Sequence, residues 1–372
     1  MMFKKIIISL ILLGFSTLSF ASNIMVLSLS NDAHYAVSTD DDGHVYLWDL
    51  QKQTDQKIAD NANPFSAYFV KGTNYFMWQN QDSNIVTVQD PTGKIIKTFN
   101  PKIQSYGSLL SKNLVLYLAA NRDWDLYLMN TDTGEIDQQQ KGWGADLKPY
   151  TFEASQNEKY LLSVGDAASL YINNLTAGNG HSYDQDDPQG KTFATFSPDG
   201  KYVVSGNEAS DVFVFQTITG KKLFEVDDLM LGRWNPKISD SSKAFDKSVI
   251  IAPEPDDFGP NYAANRGIQS IKFIDETHYL TFIHRSDGST PYAILYNVND
   301  PRALKYFALG QHPYPALNYY ERDQAIDTSP SAHILVIAKE SSEGILVYKY
   351  DPQKQTLTKV WDGNACTLAV FC

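Results

Sequence analysis

Cysteine is nearly absent: 372 residues hold two, Cys366 and Cys372, and both stand at the very end of the chain. Missing too are a GxSxG nucleophile elbow, a GxxxxGK[ST] phosphate loop, an HExxH pair and a CxxC pair. No short motif therefore positions a nucleophile, cradles a phosphate or ligates zinc. Long apolar runs are confined to Ile6–Leu13, which follows Lys4 and Lys5 and precedes Ser19-Phe20-Ala21. Such a run is shorter than the ~20 residues that span a bilayer. Its flanks have the form of a cleaved secretory leader over residues 1–21. With no other membrane-spanning segment in sight, the mature chain is expected to be exported, periplasmic or secreted.

Basic charge is also scarce. The full chain has 31 Lys and Arg against 43 Asp and Glu. Removing the leader's two lysines leaves 29 against 43, a net of −14. A surface of that sign repels phosphate backbones and anionic headgroups, so nucleic acid is not an expected partner. Solubility is the simpler meaning of the acidity.

What the chain does have is aromatic and β-branched residues in short runs. Aromatics make up 13%, with 22 Tyr and 19 Phe, and 43% apolar content suffices for a core. Thr192–Val226, TFATFSPDGKYVVSGNEASDVFVFQTITGKKLFEV, shows the pattern best. Four apolar runs are divided by three turns, the first at Pro198-Asp199-Gly200, and read as one four-stranded antiparallel unit. The same order opens the mature chain. Ile24–Ser30 is a strand, Asn31-Asp32-Ala33 takes the place of Pro198-Asp199-Gly200, Tyr35–Ser38 follows, and Asp41-Asp42-Gly43 leads into His44–Asp49. The position of Trp48 recurs at Gln89, Met129, Asn173, Phe215, Tyr296 and Tyr348, in steps of 41, 40, 44, 42, 81 and 52. Steps near 40 suit blades that bury their faces only by stacking radially.

DDGHVYLWDL, ending at Leu50, resembles the third-strand signature of WD40-repeat β-propellers, and SPDGKYVVSG at Ser197–Gly206 resembles that family's first hairpin. The resemblance runs along nearly the whole mature chain, although the family's Gly-His dipeptide is missing. It implies an all-β, WD40-like (YVTN-like) β-propeller of bacterial, exported type. Seven four-stranded blades over residues 22–361 are expected, with a tail at 362–372. Asp227–Arg266 is read as an insertion between blades five and six. Only Ser248–Ala252 there resembles a strand, and Pro236, Pro253, Pro255 and Pro260 would each remove a ladder donor. A degenerate eighth blade is the alternative.

Several residues invite a chemical reading. Asp40-Asp41-Asp42-Gly43 suggests a calcium loop, but a hairpin turn explains the same residues. His34, His278 and His333 fall at one repeat position in blades one, six and seven, before Tyr35, Tyr279 and Ile334. Neighbouring sheets ~10 Å apart do not bring them to one metal. No metal and no cofactor are expected. Cys366 and Cys372 are expected to be bridged. The competing reading is a strand over Thr367–Phe371, which would hold them ~20 Å apart.

In propellers, the loops entering each blade and those joining its second and third strands share one face. Here they carry Trp124, Trp143, Arg233, Trp234, Tyr262, Tyr314 and Tyr320, residue types that dominate interface hot spots. The chain is accordingly read as a monomeric, non-enzymatic scaffold that binds protein partners through these residues. The alternative is an exported propeller enzyme or small-molecule binder of quinoprotein or lactonase type, which would need a cluster of titratable groups near the central channel.

Overall fold

The computed structural model describes residues 22–364 apart from 102–104, 114, 121–124, 141–148, 166–169, 176, 178, 183–192, 207–210, 227–267, 284–291, 310–324 and 340–343. Every regular element among the described residues is a β-strand. The strands form seven four-stranded sheets, each built from one continuous stretch of chain in the order inner, second, third, outer. The inner strands are Ile24–Leu29, Tyr68–Phe69, Ser105–Leu110, Pro149–Ala154, Phe193–Phe196, Ile268–Phe273 and Ile326–Ser329. They pack against one another around a common axis. The expected leader over 1–21 and both cysteines lie outside the described residues.

Apolar residues gather in seven clusters, one at each join between neighbouring sheets. This follows from the pleat: alternate side chains leave opposite faces of a strand, so a sheet with two apolar faces must be covered twice. Ring closure is the join of blade seven to blade one. There Ile24, Leu27, Tyr46 and Trp48 meet Val336, Ala338, Ile345 and Val347.

The blade count needs two corrections. Among the described residues there are six full blades and one reduced blade, not seven equivalent ones. In blade two the inner strand shrinks to Tyr68–Phe69. The reason is local: Pro64 cannot donate to a ladder. The chain turns through Asn63–Ser66 instead, and Ser66 Oγ accepts the Gln79 amide (3.0 Å) in place of a backbone carbonyl. The second correction concerns the eighth blade. Blades five and six pack directly on each other, Phe193, Val204 and Val214 against Ile268, Ile271 and Phe273, which leaves no room for a blade between them.

Register confirms the phase of the repeat. Trp48, Gln89, Met129, Asn173, Phe215, Tyr296 and Tyr348 pair with Ala36, Phe76, Leu116, Leu161, Val203, Tyr279 and Leu335 respectively, the same ladder position in every blade. All seven are buried. The hairpin turn is also shared: Ser30, Ser155 and Ser197 each donate a hydroxyl to the Asx two residues on and accept the amide of Tyr35, Tyr160 or Tyr202.

The histidine alignment is corrected. His34 and His333 do share a place, each giving its carbonyl to the amide two residues after the Trp48 or Tyr348 position (Leu50 and Tyr350). In blade six Thr277 holds that place, and His278 sits in the strand where Tyr35 sits in blade one. The blade-six turn is one residue shorter, which slips His278 forward.

Gly43 closes the turn between the second and third strands of blade one with φ +80°, and its carbonyl accepts the Ala62 amide. A Cβ there would lie 2.7 Å from the Ala62 oxygen. Gly43→Ala is expected to cost about 1–3 kcal/mol from backbone strain and this clash. Thermal denaturation checks it; an unchanged melting temperature would contradict the turn geometry.

Candidate interaction face and axial cluster

Strand alternation fixes where the loops emerge. Inner strands all run the same way along the axis, so the loops entering the blades and those joining second to third strands leave by one end. Val226 to Ile268, Ala308 to Ile326, Gln140 to Pro149 and Ala120 to Asp125 are four such connections. The seven residues expected to bind a partner all lie within these connections, outside the described residues.

The described part of this face, over blades one and two, is acidic. Asp40 is fully buried and accepts the His44 amide (2.7 Å) and its Nδ1 (2.8 Å). Burial pushes the Asp40 carboxyl up, and the His44 bonds do not overcome it. Asp41 is held by the Asn23 amide at 2.9 Å, Asp42 by the Ser22 hydroxyl, and Asp82 by Asn61 at 2.6 Å. The three carboxylates of the suspected calcium loop are thus turned to three different partners. No group of three or more metal-ligating side chains is found among the described residues. Asp60 pairs with Lys57 at 2.7 Å, which draws its carboxyl below the usual range.

At the other end of the axis a second set of groups meets, which the repeat alone did not bring out. Ser28, Tyr68, Glu153, Thr195, Lys272 and Asp327 occupy one register position, each opposite Val37 or its equivalent in a second strand (Met77, Leu162, Val204, Leu280 and Val336). Three of them tie a blade to the next. Ser28 Oγ accepts the Phe69 amide (3.1 Å), the Tyr68 hydroxyl accepts the Leu110 amide (3.0 Å), and Asp327 Oδ2 accepts the Leu29 amide (2.7 Å). Lys71 of blade two reaches Glu153 of blade four at 2.8 Å and also bonds the Ala154 carbonyl. The available signal was a charged residue inside an otherwise buried inner strand: Phe-Glu-Ala at 152–154, Ile-Lys-Phe at 271–273 and Ile-Asp-Thr at 326–328.

A third cluster lies between blades six and seven. Asp275 accepts the His278 amide (2.7 Å) and faces its Nδ1 (2.8 Å), and Asn297 donates to His278 Nε2 (3.2 Å). Burial alone would raise the Asp275 carboxyl, but the bonds from His278 and Thr277 outweigh it and hold it low. Tyr350 stands between the rings of His278 and His333, at 6.5 and 6.2 Å. Burial pushes its phenol up.

These three clusters are held chiefly by neutral donors or by one another, an arrangement suited to fixing loops and joining blades. No helix among the described residues is long and apolar enough to cross a membrane.

No family model matches the chain, and no curated protein matches it in sequence. Its shape does have solved counterparts. Hsv2 of Kluyveromyces lactis aligns at TM-score 0.59 and 10% identity, covering 93% of this chain and 100% of its own. The β-propeller domain of Cps50 (Swd1) from Myceliophteria thermophila aligns at 0.55 and 11%, covering 85% and 93%. A chain of the mitotic checkpoint complex aligns at 0.55 and 10%, covering 92% and 87%. At such identities the likeness speaks for the fold alone, and the fold is a β-propeller.

Proposed function

We propose that the chain is an exported, non-enzymatic propeller that holds a protein partner on the face where its blades are entered. Trp124, Trp143, Arg233, Trp234, Tyr262, Tyr314 and Tyr320 are the contact residues in this reading. One observation carries it: the strands flanking all four aromatic connections end and begin at the same face. The Trp, Tyr and Arg that the sequence puts in these connections are the residue types of an interface core, which supports the reading. A fold alone does not assign a function, so the residues have to be tested.

The small-molecule alternative draws on the charges around the axis. Glu153 is paired with Lys71, and Asp327 bonds backbone amides, so both are engaged in holding blades. Scaffolding accounts for these contacts without a ligand.

Crosslinking of the tagged protein in its native compartment, followed by identification of the captured chains, tests the reading. Trp234→Ala and Tyr262→Ala should each weaken capture of a given partner at least tenfold, the loss of one hot spot, with melting temperature unchanged. Unfolding of either variant would put the insertion in the core instead. A bound small molecule in the purified protein, with no reproducible partner, would favour the alternative.

A further inference from the structure

The join between blades seven and one differs from the other six. Elsewhere successive blades follow one another along the chain; at this join the two blades come from opposite ends of the described sequence. No strand is shared across it, so it can part without breaking or stretching the chain. What holds it is the apolar cluster around Trp48, the edge contact of Trp48 with Trp361 at 6.0 Å, and the bond from the Leu29 amide to Asp327 at 2.7 Å. Folded chains open locally in cooperative units at less than the cost of global unfolding, and a join with no chain across it is a natural boundary of such a unit.

We propose that Asp327 is the latch of the ring, and that its protonation sets how readily the join between blades seven and one opens. Its carboxyl accepts two amides, Leu29 across the join and Thr328 on its own strand at 2.8 Å. The charged groups that face it come from two other inner strands: Lys272 of blade six and Glu153 of blade four, the latter held by Lys71. The inner strand of blade one, Ile24–Leu29, and the second strand of blade seven, Ile334–Ala338, bring no titratable side chain to it.

Burial is the largest influence on this carboxyl and pushes it up; Lys272 and the two amides pull the other way, and Glu153 adds to the rise. A carboxyl raised in the folded state contributes its stability below the ordinary carboxylate range and loses it as pH rises through the raised value. The join therefore tightens on acidification. Surface carboxylates held low, such as Asp199 and Asp362, act in the opposite sense.

Amide hydrogen exchange on the full chain, corrected for the intrinsic rate, reads the opening directly. Across the titration of Asp327, opening at Leu29 should grow by up to about tenfold per pH unit, while Leu161–Val164 in blade four stay level. Asp327→Asn keeps an accepting oxygen but cannot ionise, so this pH dependence should vanish while protection persists. Asp327→Ala should raise exchange at Leu29 at every pH and leave blade four protected. A pH dependence that survives in Asp327→Asn would overturn the latch. So would equal pH dependence at Leu29 and in blade four of the unaltered protein, or unchanged exchange in Asp327→Ala.

Discussion

Trp48→Ala is expected to destabilise the ring by about 3–5 kcal/mol, the usual cost of emptying a large buried aromatic site. Trp48 is fully buried in the cluster that joins blade one to blade seven, within 6.1 Å of the Tyr46 ring and 6.0 Å of the Trp361 ring. Its indole also donates to the Ser38 hydroxyl at 2.9 Å inside the sheet. Blade five shows what the weaker substitution does. Phe215 stands at the position of Trp48 and Ser205 at that of Ser38, and the Ser205 hydroxyl is buried without a hydrogen-bond partner. Trp48→Phe should thus cost about 1–3 kcal/mol, largely from the hydroxyl it orphans. Ser205→Ala, which removes a hydroxyl already orphaned, should be neutral or slightly stabilising. Equilibrium denaturation of the three variants measures the order; a loss below about 1 kcal/mol for Trp48→Ala would mean that the join does not depend on its packing.

Much of the fold was written in the chain because period and turn chemistry agree. Trp48, Gln89, Met129, Asn173 and Phe215 are spaced by blade length. These five with Tyr296 and Tyr348 pair at one ladder position because a two-residue side-chain period permits no one-residue slip without exposing the core. The turn at Asn31-Asp32-Ala33 matches Pro198-Asp199-Gly200 because Ser30 and Ser197 make the same bonds. Departures arose where one residue more or less changes little in sequence. His278-Tyr279 looks like His34-Tyr35, yet a turn one residue shorter moves His278 into the strand. Blade two kept its length while Pro64 and the Ser66 side chain replaced most of an inner strand.

The site was less legible. A repeat pattern ranks residues by distance along the chain, whereas Glu153, Lys272 and Asp327 meet only because three inner strands converge on an axis. Their charge inside apolar strands was visible; their common height in the ring was not. Strand direction fixes only the end at which the connections carrying the aromatic residues begin and finish, since alternation decides which end each loop leaves. The residues themselves lie outside the described ones.

Ile271→Ala is expected to cost about 2–5 kcal/mol, and the way it couples to Gly206 tests the join that excludes an eighth blade. Ile271 is 1% exposed and lies in the cluster shared by blades five and six. Gly206 ends the second strand of blade five, and a Cβ there would come within 2.9 Å of the Cδ1 atoms of both Ile268 and Ile271. Gly206→Ala alone should therefore cost about 1–3 kcal/mol by crowding. Ile271→Val removes one of the two obstructing methyls and alone should cost about 0.5–1.5 kcal/mol. Together the two should cost less than their sum by at least about 0.5 kcal/mol, because each relieves the other. Residues far apart with no shared neighbour add instead. Additive losses in the double variant would mean that blades five and six do not touch here, and the exclusion of a blade between them would fall with that contact.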